Sequence, residues 1–351
     1  MTQRSFFSRF LKVLSLGLYL GAGLFLAAGM SSCGPATPDL PMRTIIDQLG
    51  REVTFPANPE RIAALHHFGG KIVYALNRQH LLVEKSIYCM EAKALAAVDP
   101  AFAALPGLIQ GHGYNIEGLV SLAPQVIFSY ASMDRSELAQ FENAGIPVVA
   151  VRGETFEESF EAVRLMADVL ECPEAGQTYI TACNALLDEV AARLENNVDT
   201  PVPVLFAGPR SVYSVATGNM LQTEILARAG ARNVAQDLEG FWADVSPEQI
   251  AQWDPQVIFL GSYLDVYGKD KIFTLPQFQT VSAIKNQRVY TFPSNIGWWD
   301  YPAPHCVLGV VWTAKTLYPQ LFEDLDLTQT ANDFYSRFMG YSFEDLGGQL
   351  L

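Results

Sequence analysis

Two stretches decide the fold: residues 117–128, EGLVSLAPQVIF, and residues 248–259, EQIAQWDPQVIF. They lie 131 residues apart and agree at six of twelve positions, each with a Glu seven residues ahead of Pro-Gln-Val-Ile-Phe. Both read the same way physically. The Glu and the apolar residues at helical spacing make a short helix, the proline ends it, and Val-Ile-Phe is a buried strand. Ser- and Tyr-bearing loops follow each strand, SYASM at 129–133 and GSYLD at 261–265. So long a period is beyond any solenoid repeat and predicts two similar α/β lobes in tandem.

Further strands fit that plan. Short apolar runs at 61–65 (RIAAL), 147–151 (PVVAV), 202–207 (VPVLFA) and 288–292 (RVYTF) are separated by helical stretches, as in parallel sheets built from crossover units. Residues 47–55 (DQLGREVTF) read as a leading hairpin turning at Leu49-Gly50. Between the lobes, at 173–197, Ile180, Leu186, Leu187, Val190 and Leu194 recur at helical spacing behind Pro173. The expected architecture is α/β: two Rossmann-like lobes, 43–172 and 198–351, joined by a single long bridging α-helix, with the ligand cleft between them. A stiff connector predicts limited closure around a largely preformed cleft.

The first residues are of another kind. Arg4, Arg9 and Lys12 precede an apolar run at 13–29 and then Met30-Ser31-Ser32-Cys33, with no acidic residue before Asp39. That order is the plan of a secretory signal; the alternative is a short membrane anchor. The stretch resembles a bacterial lipoprotein signal, which implies cleavage after residue 32 and lipidation of Cys33, with Met30 departing from the usual Leu. Residues 33–42 then form a tether with three prolines. The expected location is outside the cytoplasm, lipid-anchored on the outer face of the cytoplasmic membrane or in the periplasm. Four cysteines follow Cys33, and Cys172 with Cys183 is the pair to test first for a disulfide.

Composition excludes some functions. Acidic residues outnumber basic ones 37 to 23, for a net charge of −14, and no basic run offsets this locally, which excludes a nucleic-acid partner. No phosphate-loop, nucleophile-elbow, HExxH or GxGxxG pattern is present, so the sequence offers no catalytic signature and no resident cofactor. The candidate site is therefore a set of loops at strand ends. His66 and His67 follow the first strand, and on an extended segment only one would face the cleft. His112 lies between two glycines; Tyr130, Arg152, Arg210 and Tyr263 each come just after a strand. In Gly297-Trp298-Trp299-Asp300-Tyr301-Pro302, one tryptophan should be core and one should line the cleft, with Trp299 and Tyr301 the aromatic candidates. Each has a plain structural alternative: a hydrogen-bonded histidine, a surface turn, a rim charge. A metal-dependent hydrolase would need three of His66, His67, His112 and His305 around one ion.

On DQLGREVTFPANPERI at 47–62, NIEGLVSLAPQVIF at 115–128 and SPEQIAQWDPQVIF at 246–259, the chain resembles the exported substrate-binding proteins of bacterial ABC importers for ferric siderophores, haem and cobalamin. The tail WWDYPAPHCVLGVVWTAKTLYPQLF at 298–322 is similar to a branch with molybdate and tungstate binders. The resemblance implies a non-catalytic protein that carries a metal chelate or metal oxyanion to a permease and its ATPase. It also implies one acidic docking residue per lobe, matching Glu117 and Glu248, whose local alternative is a carboxylate favoured by a helix N-terminus. The acidic residue usual after each proline is Gln here, Gln125 and Gln256.

Overall fold

The computed structural model describes residues 41–85, 90–110, 113–262, 264 and 271–350. The leader, Cys33, Cys89, His112 and Tyr263 lie outside the described residues. The hairpin begins earlier than the sequence reading placed it. Met42–Ile46 pairs antiparallel with Glu52–Pro56, and residues 47–51 are the connecting turn, with Gly50 at φ 75°. Asp47 holds this turn by accepting from Arg51 at 2.7 Å and pins it to the first lobe by accepting from the Ala150 N–H at 3.1 Å.

In the first lobe three parallel strands stand in the order Ile62–Ala64, Val126–Tyr130, Val148–Val151. The second lobe repeats this with Val202–Ala207, Val257–Leu260 and Val289–Thr291, again parallel and in the same order. Its sheet extends further through Ser214–Ala216 and Trp242–Asp244 on an antiparallel edge, while Ala231–Asn233 pairs with Val202–Ala207. All four strand runs read from sequence are present. Val126–Tyr130, Val148–Val151 and Val257–Leu260 are buried at every position, on both faces, as their continuous apolar composition requires.

The bridging helix, Pro173–Leu194, runs 22 residues, about 33 Å at the helical rise. It buries Tyr179, Ile180, Cys183, Leu187 and Val190 against Phe156–Val169 of one lobe and Cys306–Leu317 of the other. The Tyr179 hydroxyl donates to Pro304 O at 2.7 Å. The last helix, Leu327–Met339, returns to pack on His67–Ala75, so one hydrophobic core runs through both lobes.

The disulfide expectation fails. Cys172 and Cys183 are both free, buried thiols. Cys172 is the N-cap of the bridging helix and Cys183 lies three turns along it, about 16 Å away by helical rise and beyond any S–S bond.

Candidate functional site: a cleft between two lobes

Strand ends of the first lobe form one wall. The chain bends into a helix at His67, so His66 acts as its N-cap and accepts the Phe68 N–H on Nδ1 at 3.3 Å, which places the ring proton on Nε2. That bend overturns the expectation of opposed histidines. The two imidazoles lie side by side, 3.9 Å between centroids, and His66 stacks on Tyr130 at 4.4 Å. Burial, then the neighbouring Lys71, pushes the His66 pKa down to about 3, and burial followed by His66, Lys71 and His305 holds His67 well below its ordinary value. Both are neutral at physiological pH, and His67 Nε2 is buried without a hydrogen-bond partner.

The next loop carries Arg152, Gly153, Glu154 and Thr155. Arg152 lies 3.5 Å from Glu158, and its backbone N–H donates to Gln48 Oε1 at 2.6 Å. Gly153 admits the Phe68 ring, which would lie 2.5 Å from any Cβ there. The Tyr130 hydroxyl donates to Glu154 Oε1. Burial is the main cause raising the Glu154 pKa, with Glu158 adding to it. Thr155 then caps Phe156–Val169, accepting the Glu158 N–H at 3.1 Å.

The second lobe supplies the facing wall: Gly218, Asn219 and Met220 after the strand Ser214–Ala216, Thr223, Glu224 and Ala227 on the helix Leu221–Arg228, and Phe241. Between the walls is a cavity of about 770 Å³. Glu224 crosses it, its Oε2 accepting the Phe156 N–H at 2.8 Å while Oε1 pairs with Arg228 at 2.7 Å.

Of the residues singled out from sequence, Tyr130 and Arg152 line this cavity, and His66 and His67 stand behind Tyr130. Arg210 is exposed and does not line it. Trp299 is not a cleft residue: it is fully buried, donating from Nε1 to the Tyr335 hydroxyl at 3.2 Å. Its neighbour Trp298 is half-buried against Tyr301, 5.1 Å between centroids. Glu154, Glu224, Thr223 and Phe241 were missed. Glu154 had the same signal as Arg152, two residues ahead of it on one loop. The second-lobe wall follows an antiparallel strand that no repeat marked. Also missed was Asp300, fully buried, accepting the Ser262 N–H at 3.1 Å and its hydroxyl at 2.8 Å, its pKa raised by burial to about 6. Among the described residues no three His, Cys, Asp or Glu side chains are grouped to hold a metal ion.

Two α/β lobes on one long helix, flanking an open cavity at their strand ends, define a solute-capturing protein. The chain belongs to the periplasmic binding protein family, whose model matches residues 62–296. It is thus a substrate-binding protein of the ABC-importer class. It is 31% identical over 333 residues to the molybdate-binding protein MolA of Haemophilus influenzae, covering 86% of this chain and 92% of MolA. It is 25% identical over 274 residues to the vitamin B12-binding protein of Pectobacterium atrosepticum, covering 76% and 90%. Among solved structures, molybdate-bound MolA superposes with a TM-score of 0.71 at 27% identity, covering 86% of this chain and 98% of that one. Helicobacter pylori CeuE, crystallised as a nickel–histidine complex, shares the fold with a TM-score of 0.71 at 21% identity, covering 88% and 98%. Among the described residues no helix is long and apolar enough to cross a membrane.

Proposed function

We propose that this chain captures a metal chelate of the iron–siderophore or haem type and delivers it to an ABC permease and its ATPase. The observation that carries this reading is the cavity itself. At about 770 Å³ it is sized for a chelate, and a four-oxygen anion would fill only a corner of it. Its charged lining is three carboxylates, Glu154, Glu158 and Glu224, against one guanidinium, Arg152, which is ill suited to a dianion. Transport follows from capture without chemistry: the cargo binds between the lobes, and exposed Glu117 and Glu248, one per lobe, meet basic groups of the permease.

In this reading residues 1–32 are the signal peptide, Cys33 carries the lipid, 33–42 are the tether, and 43–172, 173–197 and 198–351 are lobe, bridge and lobe. Tyr130 and Arg152 form the cargo-contacting part of the first lobe, with His66 and His67 packed behind Tyr130; His112 and Tyr263 are kept as further candidates on their sequence positions alone.

A second reading is molybdate or tungstate capture, and the likeness to MolA over most of both chains supports it. In that case neutral His66 and His67 would donate N–H to the oxyanion beside Arg152. A tryptophan-fluorescence titration of the full chain in detergent separates the two. Saturable quenching by ferric siderophores, haem or cobalamin is the expected result, and a response to molybdate and tungstate alone would replace the first reading with the second.

A further inference from the structure

We infer that Glu154 selects the cargo by charge, so that the complex bound in this cavity presents a cationic group, an ammonium above all, to the carboxylate beside Tyr130. This rests on the chelate reading and narrows it to complexes carrying positive charge.

Of the four charged groups on the cavity wall, three are held in ion pairs. Arg152 is paired with Glu158, and Glu224 with Arg228 and the Phe156 N–H. Glu154 is left over. Its Oε1 accepts the Tyr130 hydroxyl, and among the described residues no Lys or Arg lies within ion-pair distance of it. It is half-buried; burial and Glu158 oppose its ionisation, while the Tyr130 hydrogen bond and the more distant charge of Arg152 favour it. Because Arg152 is already paired with Glu158, a cation arriving here would give Glu154 an ion pair of its own. An anion would meet the same carboxylate as repulsion.

A second feature of the cavity points the same way. Phe241, on the opposite wall, is 57% exposed, one of only five large apolar side chains left open among the described residues. An aromatic face opposite a carboxylate suits an alkylammonium arm, which offers methylenes to the ring and its charged end to the acid.

The test uses two ferric trihydroxamates that differ in one charge: ferrioxamine B, with a pendant ammonium, and its N-acetylated form, which is neutral. Dissociation constants are measured on the full chain in detergent, alongside molybdate. The wild-type chain should bind ferrioxamine B at least tenfold more tightly than the acetylated complex, Glu154→Gln should lose that preference, and Glu154→Lys should reverse it. Equal binding of both complexes by the wild-type chain overturns the inference while leaving the chelate reading intact, and needs no variant to fold. Failure of both complexes also overturns it. If molybdate binds instead, the chelate reading falls with it.

Discussion

The carboxylate of Glu224 in the second lobe accepts the backbone N–H of Phe156 in the first, at 2.8 Å. Phe156 is the first residue of Phe156–Val169, so a charge from one lobe sits on the free N–H groups and positive dipole end of a helix in the other. Arg228 completes the contact, its guanidinium 5.0 Å from the Phe156 ring centroid. The two lobes are thus joined across the cavity as well as through the bridging helix.

Glu224→Ala should cost about 1.5–3 kcal/mol, the range for a hydrogen bond to a charged group. Amide exchange at Phe156 and along the first turn of its helix should accelerate, while Cys306–Leu317 keeps its protection. Unchanged exchange at Phe156 would mean the contact holds nothing.

Trp299 and Trp242 should behave oppositely. Trp299 is fully buried with its indole bonded to Tyr335, so Trp299→Ala should cost about 3–5 kcal/mol. Trp242 directly follows the cavity residue Phe241 and packs on Phe206 at 6.3 Å. In a ligand titration, Trp242→Phe should remove most of the quenching and Trp299→Phe little of it. The reverse pattern would relocate the site toward the segment after the last strand.

The lobes were legible in sequence because sheet order depends on local signals repeated twice: Val-Ile-Phe buried on both faces, and proline ending each short helix. The loops carrying the site were legible too, since strand ends in such sheets face a cleft. Which side chain on a loop turns into that cleft was not. Arg152 and Glu154 share a loop, and only packing against Glu158, Tyr130 and the opposite lobe decides their roles. Arg210 met the same criterion as Arg152, yet its side chain is exposed to solvent and does not line the cavity. Trp299 and Trp298 are adjacent and alike in chemistry; the fully buried one is fixed by Tyr335, 36 residues on.

Stability should fall on acidification below neutral pH. For His66, pushed down to about 3 from 6.5, the fold favours the neutral ring; its contribution is present above pH 6.5 and is lost as pH falls toward 3. His67 and His305 are shifted in the same direction, mainly by burial. Each adds a slope of up to about 1.4 kcal/mol per pH unit. Asp300 acts oppositely. Raised to about 6 from 3.8, it favours the fold when protonated, so its contribution is present below 3.8 and is lost as pH rises through 6. Three histidines outweigh one carboxyl, and the urea midpoint should drop between pH 6.5 and 5. Asp300→Asn removes the charge and keeps an acceptor for the Ser262 N–H, its amide N–H donating to the Ser262 hydroxyl oxygen in place of accepting from it. It should raise stability at pH 7 by up to about 3 kcal/mol and steepen the acid loss. A variant with the wild-type pH profile would show that Asp300 does not titrate in this range.

The repeat that revealed the lobes is preserved in backbone detail around Glu117 and Glu248. Each is the second residue of its helix, behind the caps Asn115 and Ser246, and each is exposed. Each helix is followed by a left-handed residue, Ala123 at φ 46° and Asp254 at φ 43°, then the proline. The next N–H, of Gln125 or Gln256, bonds the start of the neighbouring strand, at Arg61 O (2.8 Å), just ahead of Ile62–Ala64, and at Pro203 O (2.9 Å), the second residue of Val202–Ala207. Gln125 also accepts the Glu60 and Arg61 N–H groups on Oε1, at 2.6 and 3.0 Å, as a carboxylate would. Helix, cap and strand are thus explained by folding, whereas an exposed Glu at the same position twice is not required by it, since the N-cap side chains already satisfy those helix ends. If the pair docks on the permease, Glu117→Ala with Glu248→Ala should leave ligand affinity and melting temperature unchanged, because neither residue lines the cavity. Uptake in proteoliposomes containing the permease and its ATPase should fall at least tenfold, with each single variant in between. Normal uptake by the double variant would reduce both residues to helix-end charges, and lost ligand affinity would move them into the binding site.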